Sequence, residues 1–202
     1  CSQPLKPDFD ISIMAPQKEG TLLSATGIGN VGPVFRLDED EPQADVLWRG
    51  KSNNAVYCAT STALIEEGVI YGTDCRSGGL RAVDLKTGAK LWETFQPTTG
   101  NRRAGNGTAF LVRHEPSGRF YLLNETGDLL IADLTPEGYK EISRFHVLEP
   151  TGEAFGRNVV WTHPAFADRS VFVRNDQELV CVSLAQSLLD SLGQYHAEAQ
   201  VG

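Results

Sequence analysis

Nowhere in the 202 residues does an apolar run approach the ~20 residues a membrane-crossing helix needs, so no transmembrane segment is expected. Positive charge is also scarce: 18 Lys and Arg stand against 26 Asp and Glu, a net charge of -8. Phosphate binding calls for a basic stripe, and the lack of one excludes nucleic acid as a partner. The same balance disfavours an anionic membrane surface. The four cysteines include no adjacent pair. No stretch inside the repeats described below sustains a 3.6-residue apolar period, which excludes a helical solenoid. The chain opens on Cys1-Ser2 rather than on Met, so the lack of a signal peptide says little. Cys-Ser is what lipoprotein processing leaves at a mature N-terminus, and equally a fragment boundary that falls on Cys.

What is present is ordinary for a folded chain: 41% hydrophobic and 22% charged residues, enough for a sizeable core in one domain or at most two. Three kinds of short apolar stretch recur in fixed order. Leu23, Tyr71, Tyr121 and Phe172, set in register, lie 48, 50 and 51 residues apart. Asp38, Asp84, Asp133 and Ser183 close a second kind of stretch at intervals of 46, 49 and 50. A third kind carries Trp48, Trp92 and Ile142 as anchors, and a fourth precedes each set at Ile11–Ala15, Cys58–Ile65, Thr108–His114 and Val159–Ala165. These stretches are rich in Val, Ile, Leu, Phe and Tyr and are bounded by Gly, Pro, Asn or Asp, as strands are.

Four antiparallel strands every ~50 residues match the blade of a β-propeller. The expectation is an all-β chain with blades at about 9–50, 56–97, 106–148 and 158–185, the last one strand short, then a short helix and tail over 186–202. Either Cys1–Leu5 supplies the missing strand and closes a four-bladed ring, or the chain is part of a larger propeller. In the second case an open array bares an apolar face at each end, and self-association or further upstream blades are expected.

The second blade contains Ala82-Val83-Asp84-Leu85-Lys86-Thr87-Gly88-Ala89-Lys90-Leu91-Trp92. This resembles the tryptophan-docking motif of the quinoprotein (pyrroloquinoline quinone, PQQ-like) repeats. It is shared by PQQ-dependent alcohol dehydrogenases and by the assembly-factor lipoproteins of the bacterial outer membrane. Asp84 would accept from turn amides, Thr87-Gly88 would make the turn, and Trp92 would wedge against the neighbouring blade. The first and third blades keep the motif in part: Asp38 and Trp48 lie ten residues apart rather than eight, and Asp133 and Gly138 are followed by Ile142. Tyr57-Cys58, Ile70-Tyr71-Gly72, Asp74-Cys75, Gly127–Ala132 and Arg174–Val182 narrow the resemblance, over roughly residues 10–185, to the C-terminal part of exported planctomycete repeat proteins.

That resemblance implies a bacterial protein that is exported, periplasmic or cell-surface associated, and brings a fold rather than a function; the function expected is an interaction or scaffolding surface with protein partners and no catalysis. A PQQ enzyme of the family stacks its quinone on a disulfide between adjacent cysteines and holds calcium nearby. This chain has neither the Cys-Cys pair nor a position matching the catalytic Asp. PQQ and calcium are therefore expected only if those residues lie upstream of it.

Other candidates are weaker. Gly27-Ile28-Gly29-Asn30-Val31-Gly32 has dinucleotide-loop spacing, but a strand rather than a helix follows it, so it reads as an inter-strand loop. Cys58 and Cys75 flank the hairpin at Glu66–Gly68, close enough for a disulfide or for two buried free thiols; Cys181 reads as core. The acidic turn Asp38–Glu41 reads as solvated, His114, His146 and His196 likewise, and no metal ligand set is spaced for binding. The long connections carry Arg102, Arg103 and Asn106, then Arg157 and His163. These either converge on a small acidic ligand or cap loop carbonyls and pair with acids.

Overall fold

The computed structural model describes residues 1–29, 32–100 and 102–185. Its strands form five antiparallel sheets, three of four strands, one of three and one two-stranded hairpin, and within each the strand order follows the chain. The first holds β1 (Gln17–Glu19), β2 (Leu22–Ser24), β3 (Pro33–Leu37) and β4 (Ala44–Arg49). The second holds β5 (Leu64–Glu66), β6 (Val69–Thr73), β7 (Leu80–Asp84) and β8 (Lys90–Thr94). The third holds β9 (Ala109–His114), β10 (Arg119–Asn124), β11 (Asp128–Thr135) and β12 (Gly138–His146). A small hairpin follows, β13 (Gly152–Ala154) with β14 (Arg157–Val159), and then a three-stranded sheet of β15 (Ala165–Ala167), β16 (Ser170–Arg174) and β17 (Leu179–Ser183).

Two-residue turns join the first two strands of the second and fourth blades. Glu67-Gly68 and Asp168-Arg169 both take positive φ, the conformation that suits the right-handed twist of a hairpin. Burial falls from the middle of each sheet outward: β6 is wholly buried, whereas β8 and β12 are largely open to solvent. The core lies between the blades. One cluster joins Met14, Leu22 and Val34 of the first to Ile70 and Val83 of the second. A second joins Tyr71 and Ala82 to Leu111, Phe120 and Leu130, and a third joins Phe110 and Leu123 to Val171 and Val173.

The structure departs from expectation in four places. The innermost strands of the first, second and fourth blades are three residues long and start later than the apolar runs did. Met14, Cys58 and Ala63 in those runs pack into the inter-blade core without joining a ladder. The connection Glu149–Asn158 is no plain loop, because it contains the β13–β14 hairpin.

Cys58 and Cys75 are both buried and both free. Only the residues from Leu64 onward pair across that hairpin, so Cys58 enters the first inter-blade cluster and Cys75 a separate one with Tyr57. Cys181 is exposed rather than core, because β17 is the edge of its sheet and alternates exposed with half-buried residues.

Cys1–Leu5 forms no strand. Instead the N-terminal segment lies on the outer face of the first blade. Leu5 packs against Phe35 and Ala44, the Gln3 amide donates to the Ala44 carbonyl at 2.6 Å, and the Asp8 amide donates to Ile28 at 2.8 Å. The first blade's apolar face is therefore covered by its own chain. The short helix expected after Leu184 falls beyond the described residues, as do Asn30 and Val31 of the glycine-rich loop.

Candidate functional site

Because the strands of each blade alternate in direction, the second turn of every blade and the blade-to-blade connections share one face. The first and third turns share the other. The loop face is fixed by a repeated device that the sequence reading missed. Asp74, Asn124 and Asn175 each open the second turn of a blade, 50 and 51 residues apart, and each is buried. Asp74 accepts from the Ser77 amide at 3.0 Å. The Asn124 amide oxygen accepts from Thr126 and Asp128 at 3.1 and 2.9 Å. That of Asn175 accepts from Gln177 and Glu178, both at 2.8 Å, while its NH2 donates to the Glu149 carbonyl. Short polar side chains that satisfy turn amides pre-set the loop conformation.

Two buried ion networks brace this face. Arg81, side chain 2% exposed, donates through Nε to Glu93 at 2.8 Å and through Nη1 to the Ala55 carbonyl at 2.6 Å; its Nη2 lies 3.2 Å from Asp74. Burial raises the pKa of Asp74 against the pull of Arg81 and of the Ser77 amide. Burial alone would raise Glu93 too, but the Ser77 hydroxyl, Arg81 and Lys90 together hold it below its ordinary value. In the second network Arg157 grips the buried Glu125 through Nε and Nη2 at 2.8 and 3.1 Å. Arg157 also donates to the Gly105 carbonyl, and the Trp161 indole donates to Glu125 at 3.3 Å.

Of the expected ligand-binding residues, Arg102 and Arg157 line one cleft of about 330 Å3 with Arg144. Arg103 lines a different cleft. Arg157 is occupied by Glu125, and Arg144 by Asp128 and Glu141. Asn106 holds a left-handed turn, φ 58°, and donates its amide to the Cys75 carbonyl. His163 is exposed, bonds the neighbouring Pro164 carbonyl and lies edge-on to Phe110, away from both clefts. The five residues thus do not converge on one ligand. Among the described residues, no group of three His, Cys, Asp or Glu side chains could hold a metal ion.

The docking motif belongs to the opposite face. Asp84 accepts from the Lys86 and Thr87 amides and from the Thr87 hydroxyl, the largest of the influences holding its pKa below the ordinary value. The Trp92 indole donates to the Thr135 carbonyl of the third blade at 2.8 Å, with Ala82 its partner across the ladder. Trp48 repeats this one blade earlier, donating to Leu85 at 2.9 Å. A bulge on the outer strand of each of the first three blades makes Leu47, Leu91 and Ile142 the extra residue. Ser143, not Ile142, therefore stands at the tryptophan position of the third blade, opposite Ile131 as Trp48 is opposite Val34. Among the described residues the fourth blade has no third turn to receive an indole there.

One exposed feature rises from the loop face. Phe155 at the tip of the β13–β14 hairpin is 73% exposed, has φ 51° and lies 6.2 Å from the Trp161 ring. A bulky side chain at positive φ is uncommon, since Asn or Gly fills such a turn at lower cost.

Successive four-stranded antiparallel sheets packed face to face and linked outer strand to inner define a β-propeller repeat protein. Comparison with solved structures agrees: the chain is similar to the β-propeller BamB from Moraxella catarrhalis, with a TM-score of 0.51 and 15% identity. The match covers 90% of this chain and 49% of that one, so the chain spans about half the length of that neighbour. No family model and no curated protein sequence matches it.

Proposed function

We propose that this PQQ-like propeller is an exported, periplasmic or cell-surface protein whose loop face is a contact surface for protein partners, without catalysis. Phe155 carries the reading. An exposed aromatic held in a costly backbone conformation on a braced face is what a binding anchor requires, because large rings at the centre of an interface dominate its energy. The buried Asp74, Asn124 and Asn175 turns support this by keeping the surrounding loops in one conformation, which lowers the ordering cost of association. The exposed Leu179 and Cys181 on the last blade support reading the chain as part of a larger ring.

Replacing Phe155 by Asn tests the reading, because Asn suits that turn better and should leave the melting temperature unchanged or raise it. Affinity capture from an extract of the source organism should enrich a partner on the wild-type protein and lose it on the Phe155→Asn variant. Equal capture by both proteins would overturn it.

A further inference from the structure

The second loop-face cleft, about 450 Å3, is lined by Arg76, Arg81, Lys90 and Arg103 with Glu93 and the ring of Phe95. Four cations around one cleft stand out in a chain of net charge -8. They come from separate segments: Arg76 from the second turn of the second blade, Lys90 from its outer strand, and Arg103 from the connection that follows.

Hydrogen bonding shows which of these groups are free. The Arg81 guanidinium donates to Glu93, Ser77 and the Ser52 and Ala55 carbonyls, and its Nη2 lies 3.2 Å from the Asp74 carboxylate. Both Glu93 oxygens are taken as well, one by Ser77 and Arg81 and the other by Lys90 at 3.3 Å. The floor of the cleft is thus a completed ion network, offering neither a free carboxylate for a cation nor a free donor. The rim differs. Arg76 and Arg103 are exposed, and among the described residues neither makes a hydrogen bond or ion pair. The Arg76 guanidinium lies 5.7 Å over the Tyr57 ring, a cation–π contact that consumes none of its N–H groups. Lys90 retains further N–H groups beyond the one directed at Glu93.

We propose that this cleft binds a small oxyanion, a carboxylate or phosphate held between the Arg76 and Arg103 guanidinium groups with Lys90 beside them. Planar guanidinium forks match both kinds of anion in bidentate fashion. The site is separate from Phe155 and does not rest on the interaction reading.

Calorimetric titration of the full chain with sodium citrate and with inorganic phosphate at low ionic strength tests the proposal. At least one should bind with a Kd of roughly 1 mM or tighter, weakening as salt is added. Binding of citrate alone assigns the site to carboxylates, and of phosphate alone to phosphates; either supports the proposal. Arg76→Ala and Arg103→Ala should each weaken binding by about fivefold or more, and the pair together by more than either. Both residues are exposed, so the variants should keep the wild-type melting temperature. Arg102→Ala, in the neighbouring cleft, should bind as wild type does. No heat with either anion, undiminished binding by the double variant, or an equal loss with Arg102→Ala would overturn it.

Discussion

The ring of Trp48 rests on Gly88 of the next blade: a Cβ at that glycine would fall 2.8 Å from the indole Cδ2. The indole N–H donates to Leu85 in the same turn. Gly88 is therefore needed twice, for its φ of 69° and for the space above its Cα. Gly88→Ala should destabilise by roughly 2–3 kcal/mol. Gly118 has a φ of 68° and open space where a methyl group would sit, so Gly118→Ala should cost only the backbone share, about 1–2 kcal/mol. Denaturant unfolding of both variants isolates the ring contact, and equal losses would mean that Trp48 does not press on Gly88.

Trp92 joins the second blade to the third through its ring, which packs against the apolar cluster the two blades share, and through its N–H to Thr135. Thr135 is exposed, so water can replace that donor, and Trp92→Phe should cost about 0.5–1.5 kcal/mol. Trp92→Ala also empties the space between blades and should cost roughly 3 kcal/mol, the low end for a large aromatic because the ring is half-buried. If Trp92→Ala costs under about 1 kcal/mol in equilibrium unfolding, the indole is not a docking group.

Much of this fold is legible in the residues, for reasons that also explain what is not. β7 and β17 lie where the short apolar runs closed by Asp84 and Ser183 put them, since apolar runs of that length bounded by turn residues form strands. The innermost strands of the first, second and fourth blades are not legible, because apolar residues such as Met14 and Cys58 are buried by packing without pairing, and composition is the same in both cases. The tryptophan position of the third blade was misplaced by one residue, since its β11–β12 hairpin is longer than the second blade's and pairs on to Thr135 and Gly138, which composition does not show. Arg102 and Arg103 are neighbours in sequence yet line different clefts. Asp74, Asn124 and Asn175 could have been found from the repeat period alone. Arg76 could not, because no other blade repeats it.

The four thiols should divide by burial. Cys1 and Cys181 are exposed, whereas burial pushes the Cys58 thiol up to about 12 and raises Cys75 as well. The thiolate is the reactive form, so a thiol reagent at mildly alkaline pH should titrate two groups on the folded protein, at Cys1 and Cys181. Unfolding without reductant should release the other two, giving four. Only two thiols in the unfolded, unreduced protein would mean that Cys58 and Cys75 are bridged, against this structure.

His146 gives the loop face a pH dependence of known sign. Its Nδ1 lies 2.9 Å from Asp128 and its Nε2 3.3 Å from Glu149. The hydrogen bond to Asp128 is the largest of the effects that together raise its pKa above the ordinary histidine value. A group whose pKa is higher when folded lends stability that is fully present below its unfolded value and disappears as pH rises through the folded one. The wild-type protein should therefore lose a little stability between roughly pH 6 and 8, and His146→Gln should not. The ring is 47% exposed and screened by solvent, so the difference should stay below about 1 kcal/mol. Arg144 also binds Asp128, so that carboxylate still has a partner after the histidine loses its proton. The effect should accordingly appear as a shallow slope in melting temperature rather than a cooperative step. A His146→Gln profile parallel to the wild-type one would show that the pairing with Asp128 does not form in solution.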